Sequence, residues 1–302
     1  MKLAFDVNAV EVTEFGVGLE TEESDTFLLA PIDSSVQLAL REMVIATRDE
    51  MNDVSDVGRT YEPSEKYGAP EHLHLPMDDE LAARVRQLHD AVNVKRDKTA
   101  LTKTDEMFCY FAKMTDSKGR RLTAVRRATS FKGILKSRLI QFRTDALKLV
   151  EDRIFKLDID FDFLIDEAGV HILRPAGFEF VGRLEASILA AVPKNIKAVK
   201  TDLPFVDFAP IEAYAFKHPR AARYLASIRV QQETKNIDKA SLKRHCANLG
   251  VEVKETKGVL VVEADSIMDF LGVLDRRLYQ VELVKDAPES FRATGRSKIV
   301  KS

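Results

Sequence analysis

Apolar residues recur along this chain with two different periods, and the switches between them mark its elements. Residues 10–18 and the run TFLLA at 26–30 read as strands joined by an acidic loop at 20–25. Asp33-Ser34 then reads as a helix N-cap ahead of Val36, Leu40, Met43, Val44 and Met51, a stripe that predicts an amphipathic helix of about four to five turns. From Asn52 to Leu75 the composition shifts to Asp, Ser, Gly, Pro and Tyr, which predicts a long surface loop. Asp78-Asp79 caps a second helix with Leu81, Val85, Leu88 and Val92 on one stripe. The run MFCYFAKM at 107–114 is strand-like, with Phe108, Tyr110, Ala112 and Met114 facing one way and Met107, Cys109, Phe111 and Lys113 the other. A turn at 116–119 leads to a strand over 120–128. Its alternation puts Arg121, Thr123, Val125 and Arg127 on one face and Leu122, Ala124, Arg126 and Ala128 on the opposite one. Further β-rich pieces at 134–142, 146–150 and 153–157 predict one antiparallel, twisted sheet through the middle of the chain.

The stretch 152–180, DRIFKLDIDFDFLIDEAGVHILRPAGFEF, organises the rest. Phe163, Leu164 and Ile165 face Val170, Ile172 and Leu173 across Asp166-Glu167-Ala168-Gly169, which reads as a hairpin with a tight turn. Arg174-Pro175-Ala176-Gly177 breaks the strand, and Phe178 opens a helical run through Val181, Leu184 and Ile188. Beyond Ala190 the pattern is mostly helical, broken at Pro193, Pro204, Pro210 and Pro219. Leu242, Cys246 and Leu249 end a helix at Gly250, VEVK-ETKG-VLVVE is a hairpin, and Ile267, Phe270, Leu271 and Leu274 form a last helix. The expected fold is therefore mixed α+β. A mainly antiparallel sheet with flanking helices fills residues 1–190, and a smaller, mostly helical domain with one β-hairpin fills 191–302.

Composition adds bounds. The 302 residues, 45% hydrophobic and 31% charged, suit one large or two modest globular domains. No run approaches a membrane-spanning length of apolar residues, and the N-terminus turns acidic too early for a secretory signal. Cys109 and Cys246 lie far apart without metal or redox spacing, which predicts two semi-buried thiols in a reduced, cytosolic protein. The net charge of −2 hides an asymmetry. Residues 1–60 carry thirteen Asp/Glu against four Lys/Arg (−9), and residues 91–150 carry fifteen Lys/Arg against five Asp/Glu (+10). Such a split points to a polyanion site or to pairing between the two segments.

The run FKLDIDFDFLIDEAGVHILRPAGFEF resembles a family of prokaryotic proteins typified by the B subunit of the Kiwa anti-phage defence system. The matching places are Asp162-Phe163, His171-Ile172-Leu173 and Phe178-Glu179. The N-terminal strand pair followed by DSSVQLALREM, and the ending DFLGVLDRRL with a strand and a basic tail, are also similar. The resemblance implies a cytoplasmic defence protein that binds DNA and has no established catalytic centre. It further implies a homodimer that works beside a small integral-membrane A-type subunit, which would recruit it to the inner face of the membrane.

The strongest candidate site is the basic stretch. Phosphate backbones need several Lys/Arg on one surface. Alternation gathers Arg121 and Arg127 with Lys113 of the partner strand, while Phe111 or Tyr110 supplies a stacking surface. The residues expected to meet DNA phosphates, whatever the base sequence, are Lys113, Arg120, Arg121, Arg127, Lys132, Lys136, Arg138 and Arg143. Arg126 falls on the opposite face. The plain alternative is a solvated face, or one that pairs with the acidic N-terminal segment. Asp158, Asp160 and Asp162 would line one face of an extended strand, either as a charged, solvated sheet edge or as the Mg²⁺ site of a nuclease assisted by Glu252 and Lys254. His72, His74 and His89 read as exposed loop or helix histidines rather than zinc ligands. Glu179 reads as a carboxylate at a helix start, and Arg220 and Arg223 read as a solvated helix face, with extension of a basic surface as the alternative. Gly16-Val17-Gly18 lacks the third glycine of a dinucleotide loop. The expectation is a non-catalytic DNA-binding subunit without metal or cofactor. A Mg²⁺-dependent nuclease is the alternative, and a protein-binding scaffold without DNA contact is a third reading.

Overall fold

A computed structural model describes residues 3–20, 25–54, 58–67, 71–91, 94–97, 106–128, 140–143, 146–149, 155, 157–231, 236–284 and 287–293. The chain divides into two compact units, Met1–Tyr61 with Tyr67–Arg183, and Glu62–Lys66 with Leu184–Ser302. The fold is mixed α+β, with a mostly antiparallel sheet as expected.

The first unit is built on β1 (Val10–Glu20), β2 (Asp25–Ala30), β3 (Arg59–Thr60), β4 (Leu73–Leu75), β5 (Lys95–Arg96), β6 (Met107–Asp116), β7 (Arg121–Arg127), β8 (Ile140–Arg143), β9 (Ala146–Leu149), β10 (Phe163–Asp166) and β11 (Gly169–Ile172). Nine of these strands form one sheet in the order β3-β4-β11-β10-β7-β6-β1-β2-β5. The hairpin β10–β11 has the expected register, Phe163 opposite Ile172 and Asp166 opposite Gly169, and Phe163, Ile165 and Ile172 are fully buried. Among the described residues, β8 and β9 pair with each other and not with this sheet. Both sides of β7 are already occupied, by β6 and by β10, so the pieces after it find no open edge beside it.

Helix α1 (Ser34–Val54) begins where the sequence indicates, with the Asp33 carboxylate accepting from the Val36 amide at 3.0 Å. At 21 residues it is longer than expected, about six turns. Its stripe of Leu40, Met43, Val44 and Met51 packs on Phe15, Val17, Tyr110, Ala112, Leu122, Ala124 and Leu164 of the sheet, forming the main core. Helices α2 (Ala83–Asp90) and α3 (Pro175–Gly182) pack together, and α3 also packs on β7. Phe178 of α3 meets Phe163 edge-on at 5.4 Å. With side chains buried on both faces, β6 is an unbroken buried run from Met107 to Ala112 instead of an alternating one. Gly16 permits that closeness: a Cβ there would stand 2.3 Å from the Phe111 ring.

Several local expectations need correction. The stretch over 52–75 is not only a surface loop, because β3 and β4 join the sheet and Tyr61 and His72 are buried. The helix expected from Phe178 begins at Pro175, since Pro needs no amide partner at the first helical position. It stops at Arg183, which takes a left-handed conformation (φ 53°) and separates α3 from α4 (Glu185–Ala190). Glu179 therefore lies inside α3, accepting from the Tyr61 hydroxyl at 3.0 Å. Val92 lies outside the described residues.

In the second unit, α4 is followed by α5 (Val192–Asp202), α6 (Ala209–Ala215), α7 (Pro219–Arg229), α8 (Lys239–Asn248) and α9 (Ile267–Leu274). Pro193, Pro210 and Pro219 each open a helix. Helix α7 is central: Ala221, Ala222, Leu225, Ala226 and Ile228 are buried, and α4, α5, α6 and α9 pack on it. β12 (Val253–Thr256) and β13 (Val259–Val262) form the expected hairpin, and β14 (Leu278–Val284) pairs with β15 (Ala287–Arg292). Both cysteines are free and buried.

Candidate nucleic-acid interface and the aspartate hub

The β6–β7 register sets Tyr110 opposite Arg126 and Cys109 opposite Arg127, so the two arginines leave opposite faces of the sheet. Arg126 enters the face covered by α1. Its Nε lies 3.3 Å from Asp158 Oδ2, and its Nη1 lies 2.9 Å from Asp160 Oδ1 and 2.9 Å from Asp162 Oδ1. Arg174, just beyond β11, adds a second guanidinium, 2.7 Å from Asp160 and 3.3 Å from Glu50. Asp162 also accepts from the Arg127 amide at 2.7 Å, and the Tyr110 hydroxyl donates to Asp158 at 2.9 Å.

These carboxylates form neither a solvated edge nor an open cation site. Asp160 and Asp162 are only 3% and 4% exposed, so their charge is tolerable only because guanidinium and amide donors meet it. Burial raises the Asp162 pKa, and the Arg126 charge and the Arg127 amide offset this in part. Burial would lower the Arg126 pKa, but the fields of Asp162, Asp158 and Asp160 raise it. Residues 157–162 precede β10 rather than forming a strand, so the Asp-x-Asp-x-Asp spacing reflects convergence on Arg126. The sequence did carry a signal for this hub: Arg126 alternates with Leu122 and Ala124, and an arginine on an apolar face needs carboxylates.

The expected phosphate-binding residues are divided. Lys113 is on the Arg121 face, as alternation requires, but its ammonium donates to the carbonyls of His89 and Ala91 at the C-terminal end of α2. Burial, then the Arg121 charge, lowers its pKa to about 8. Arg127 stacks over the Phe180 ring at 3.9 Å. Arg120 pairs with Asp116 at 2.7 Å. Arg121 is exposed, as is Lys118 at the adjoining turn. Lys132, Lys136 and Arg138 lie outside the described residues, and only the backbone of Arg143 is described, in β8. Phe111 and Tyr110 are fully buried and offer no stacking surface to a base. Charge pairing between the acidic and basic segments does occur, at Arg96–Glu14 (2.9 Å).

The histidines are less exposed than the sequence suggested. His72 is buried 6.2 Å from the His171 ring, and His171 Nε2 is 3.3 Å from the buried Asp166. His74 contacts the Ala168 carbonyl at 3.2 Å, and His89 contacts the Thr123 hydroxyl at 3.0 Å. Among the described residues no group of three or more His, Cys, Asp or Glu is arranged to hold a metal ion. Lys254 pairs with Glu263 at 2.7 Å in the second unit.

Residues 105–283, more than half of the chain, match the family described as Kiwa protein KwaB-like. The chain belongs to that family, and is accordingly a component of a multi-subunit Kiwa anti-phage defence complex. No curated protein and no solved structure matches it significantly. Among the described residues, no helix is long and apolar enough to cross a membrane.

Proposed function

We propose that this chain is the DNA-binding, non-catalytic subunit of its defence complex, holding duplex phosphates regardless of sequence. The observation that carries the reading is the exposed Arg121 at the start of β7. It adjoins exposed Lys118 at the turn. Arg121 is also the charge that, after burial, weighs most on its neighbours: it disfavours protonation of both His89 and Lys113. A face of this sign attracts polyanions and needs no base-specific contact. Lys113 and Arg127 share the face of Arg121 but each already serves an internal contact, and Arg120 is held by Asp116. The aspartates support a structural role, because a divalent cation would have to displace Arg126. In this reading the protein is a homodimer, and a small A-type membrane partner supplies its attachment to the inner face of the membrane.

Two assays test the proposal. Plasmid and linear DNA incubated with the protein and Mg²⁺ or Mn²⁺ should be retained and recovered intact. Metal-dependent cleavage that disappears in Asp160→Asn would replace this reading with a nuclease. Detergent extracts should yield the chain together with an A-type partner. A strictly monomeric chain that ignores the membrane fraction would contradict the assembly.

A further inference from the structure

The second unit contains a basic cavity that the DNA reading does not use. Arg220, Arg223 and Tyr224 share one face of α7 by their i, i+3, i+4 spacing, and Tyr224 is buried with its ring at the centre of the cluster. Lys66 lies 5.6 Å from that ring centroid, Arg220 5.8 Å and Arg277 5.3 Å. Arg292 of β15 completes the wall of a cavity of about 340 Å³, and among the described residues no acidic side chain lines it.

The chain takes pains to assemble these charges. Lys66 comes from the short excursion Glu62–Lys66, which belongs to the second unit. Arg223 anchors that excursion through the carbonyls of Pro63 (3.3 Å) and Glu65 (2.7 Å), and Lys194 holds Glu62 and Ser64. Arg277 is brought back past the end of α9 by Arg276, a non-glycine residue at φ 55°, and its amide closes on the Gly272 carbonyl at 2.8 Å. The fully buried Asp275 orients two of the cations, Arg277 at 2.6 Å and Lys66 at 3.3 Å, and is itself fixed by Ser227 and Gln231. Three separate segments thus bring Lys66, Arg220 and Arg277 to one ring, and a fourth supplies Arg292, paired with Asp269 at 2.5 Å, to the cavity wall. Like charges so close repel, and their convergence is favourable when an anion completes the set.

We propose that this cavity binds a compact anion with several phosphate charges, of the kind formed by the linked phosphates of a nucleoside di- or triphosphate. Guanidinium forks match phosphate oxygens in pairs. The cavity is at the small end of ligand sites, and cations surround a single point in it. A duplex backbone instead presents its phosphates along a convex rod, one charge at a time. Tyr224 is the buried floor, so the recognised group is the phosphate chain and not a stacked base.

The test uses the full chain, with inorganic pyrophosphate and triphosphate as probes, ATP as a third, and sulfate at matched ionic strength as the reference. Calorimetry should show saturable pyrophosphate binding that sulfate does not reproduce. Arg220→Ala and Arg292→Ala, both at exposed positions, should each weaken it about tenfold, the effect of losing one charge-assisted contact. Arg121→Glu should leave it unchanged. Absence of binding beyond the sulfate reference, or undiminished binding in the Arg220→Ala, Arg292→Ala double variant with its thermal transition intact, would overturn the proposal. So would a loss of duplex DNA binding in these variants without any pyrophosphate site; the cavity would then be part of the DNA surface, and the DNA reading itself would survive.

Discussion

Replacing Arg126 by Met removes the charge at the aspartate hub while keeping much of the side chain's bulk. In the native protein Arg126 is 20% exposed and contacts Asp158, Asp160 and Asp162 within 3.3 Å. Removing one partner of a buried pair leaves the other charge uncompensated, which costs about 3–5 kcal/mol. The lower part of that range is expected here, because Arg174 still holds Asp160 and the Arg127 amide still holds Asp162. At about 2–4 °C per kcal/mol for a unit of this size, a cost of about 3–4 kcal/mol should lower the thermal midpoint by about 6–16 °C. The pH dependence identifies the cause. The Asp162 pKa is already raised by burial, and loss of Arg126 raises it further. A carboxyl whose folded pKa lies above its unfolded value stabilises the fold at low pH, and that contribution is lost as pH rises through the folded pKa. The deficit of Arg126→Met should therefore shrink between about pH 8 and about pH 5. Calorimetry across that range is the assay. A variant as stable as the native chain, or one whose deficit is the same at both ends, would show that the hub is not what makes these carboxylates tolerable.

Three further outcomes follow from packing and charge. Ile172→Ala, at a fully buried position opposite Phe163, should lose about 2–5 kcal/mol in denaturant unfolding. Gly177→Ala should destabilise by about 1–3 kcal/mol although Ala is the better helix former, because its Cβ would stand 2.2 Å from Asp162 Oδ2, which the Arg127 amide holds at 2.7 Å; a stabilised variant would contradict this. His89, whose pKa burial and then the Arg121 charge lower to about 4, should stay neutral at pH 5.5 by NMR. The stability it contributes is complete above its unfolded pKa and is lost as pH falls towards 4, and Arg121→Glu should raise its pKa.

Much of this architecture is legible in the sequence where a signal is local and long. The Asp33 cap with the α1 stripe, the Phe163–Ile172 hairpin and the helix-opening prolines are of that kind. β3 and β4 were missed because strands of two and three residues carry no readable alternation, and their pairing with the rest of the sheet is tertiary. The end of α3 at Arg183 was missed because a left-handed arginine leaves none of the signal a glycine would. The candidate site was legible by face and not by environment. Alternation placed Lys113, Arg121 and Arg127 together, but not that Lys113 would cap α2 or that Arg127 would lie on Phe180. The aspartates were misread for the same reason: their partners, Arg126 and Arg174, lie elsewhere in the chain, and a buried charge is defined by its partner.

The most direct test of the DNA reading is the salt dependence of binding to duplexes of unrelated sequence. For a footprint of about four phosphates, the log–log slope should be near −3.6, at about −0.9 per contact. A Lys118→Glu, Arg121→Glu double reversal should weaken binding equally on every sequence and flatten the slope by about two units, one for each lost phosphate contact. Both positions are exposed, so the thermal transition should be unaffected. Unchanged affinity and slope in the folded double variant would contradict the account.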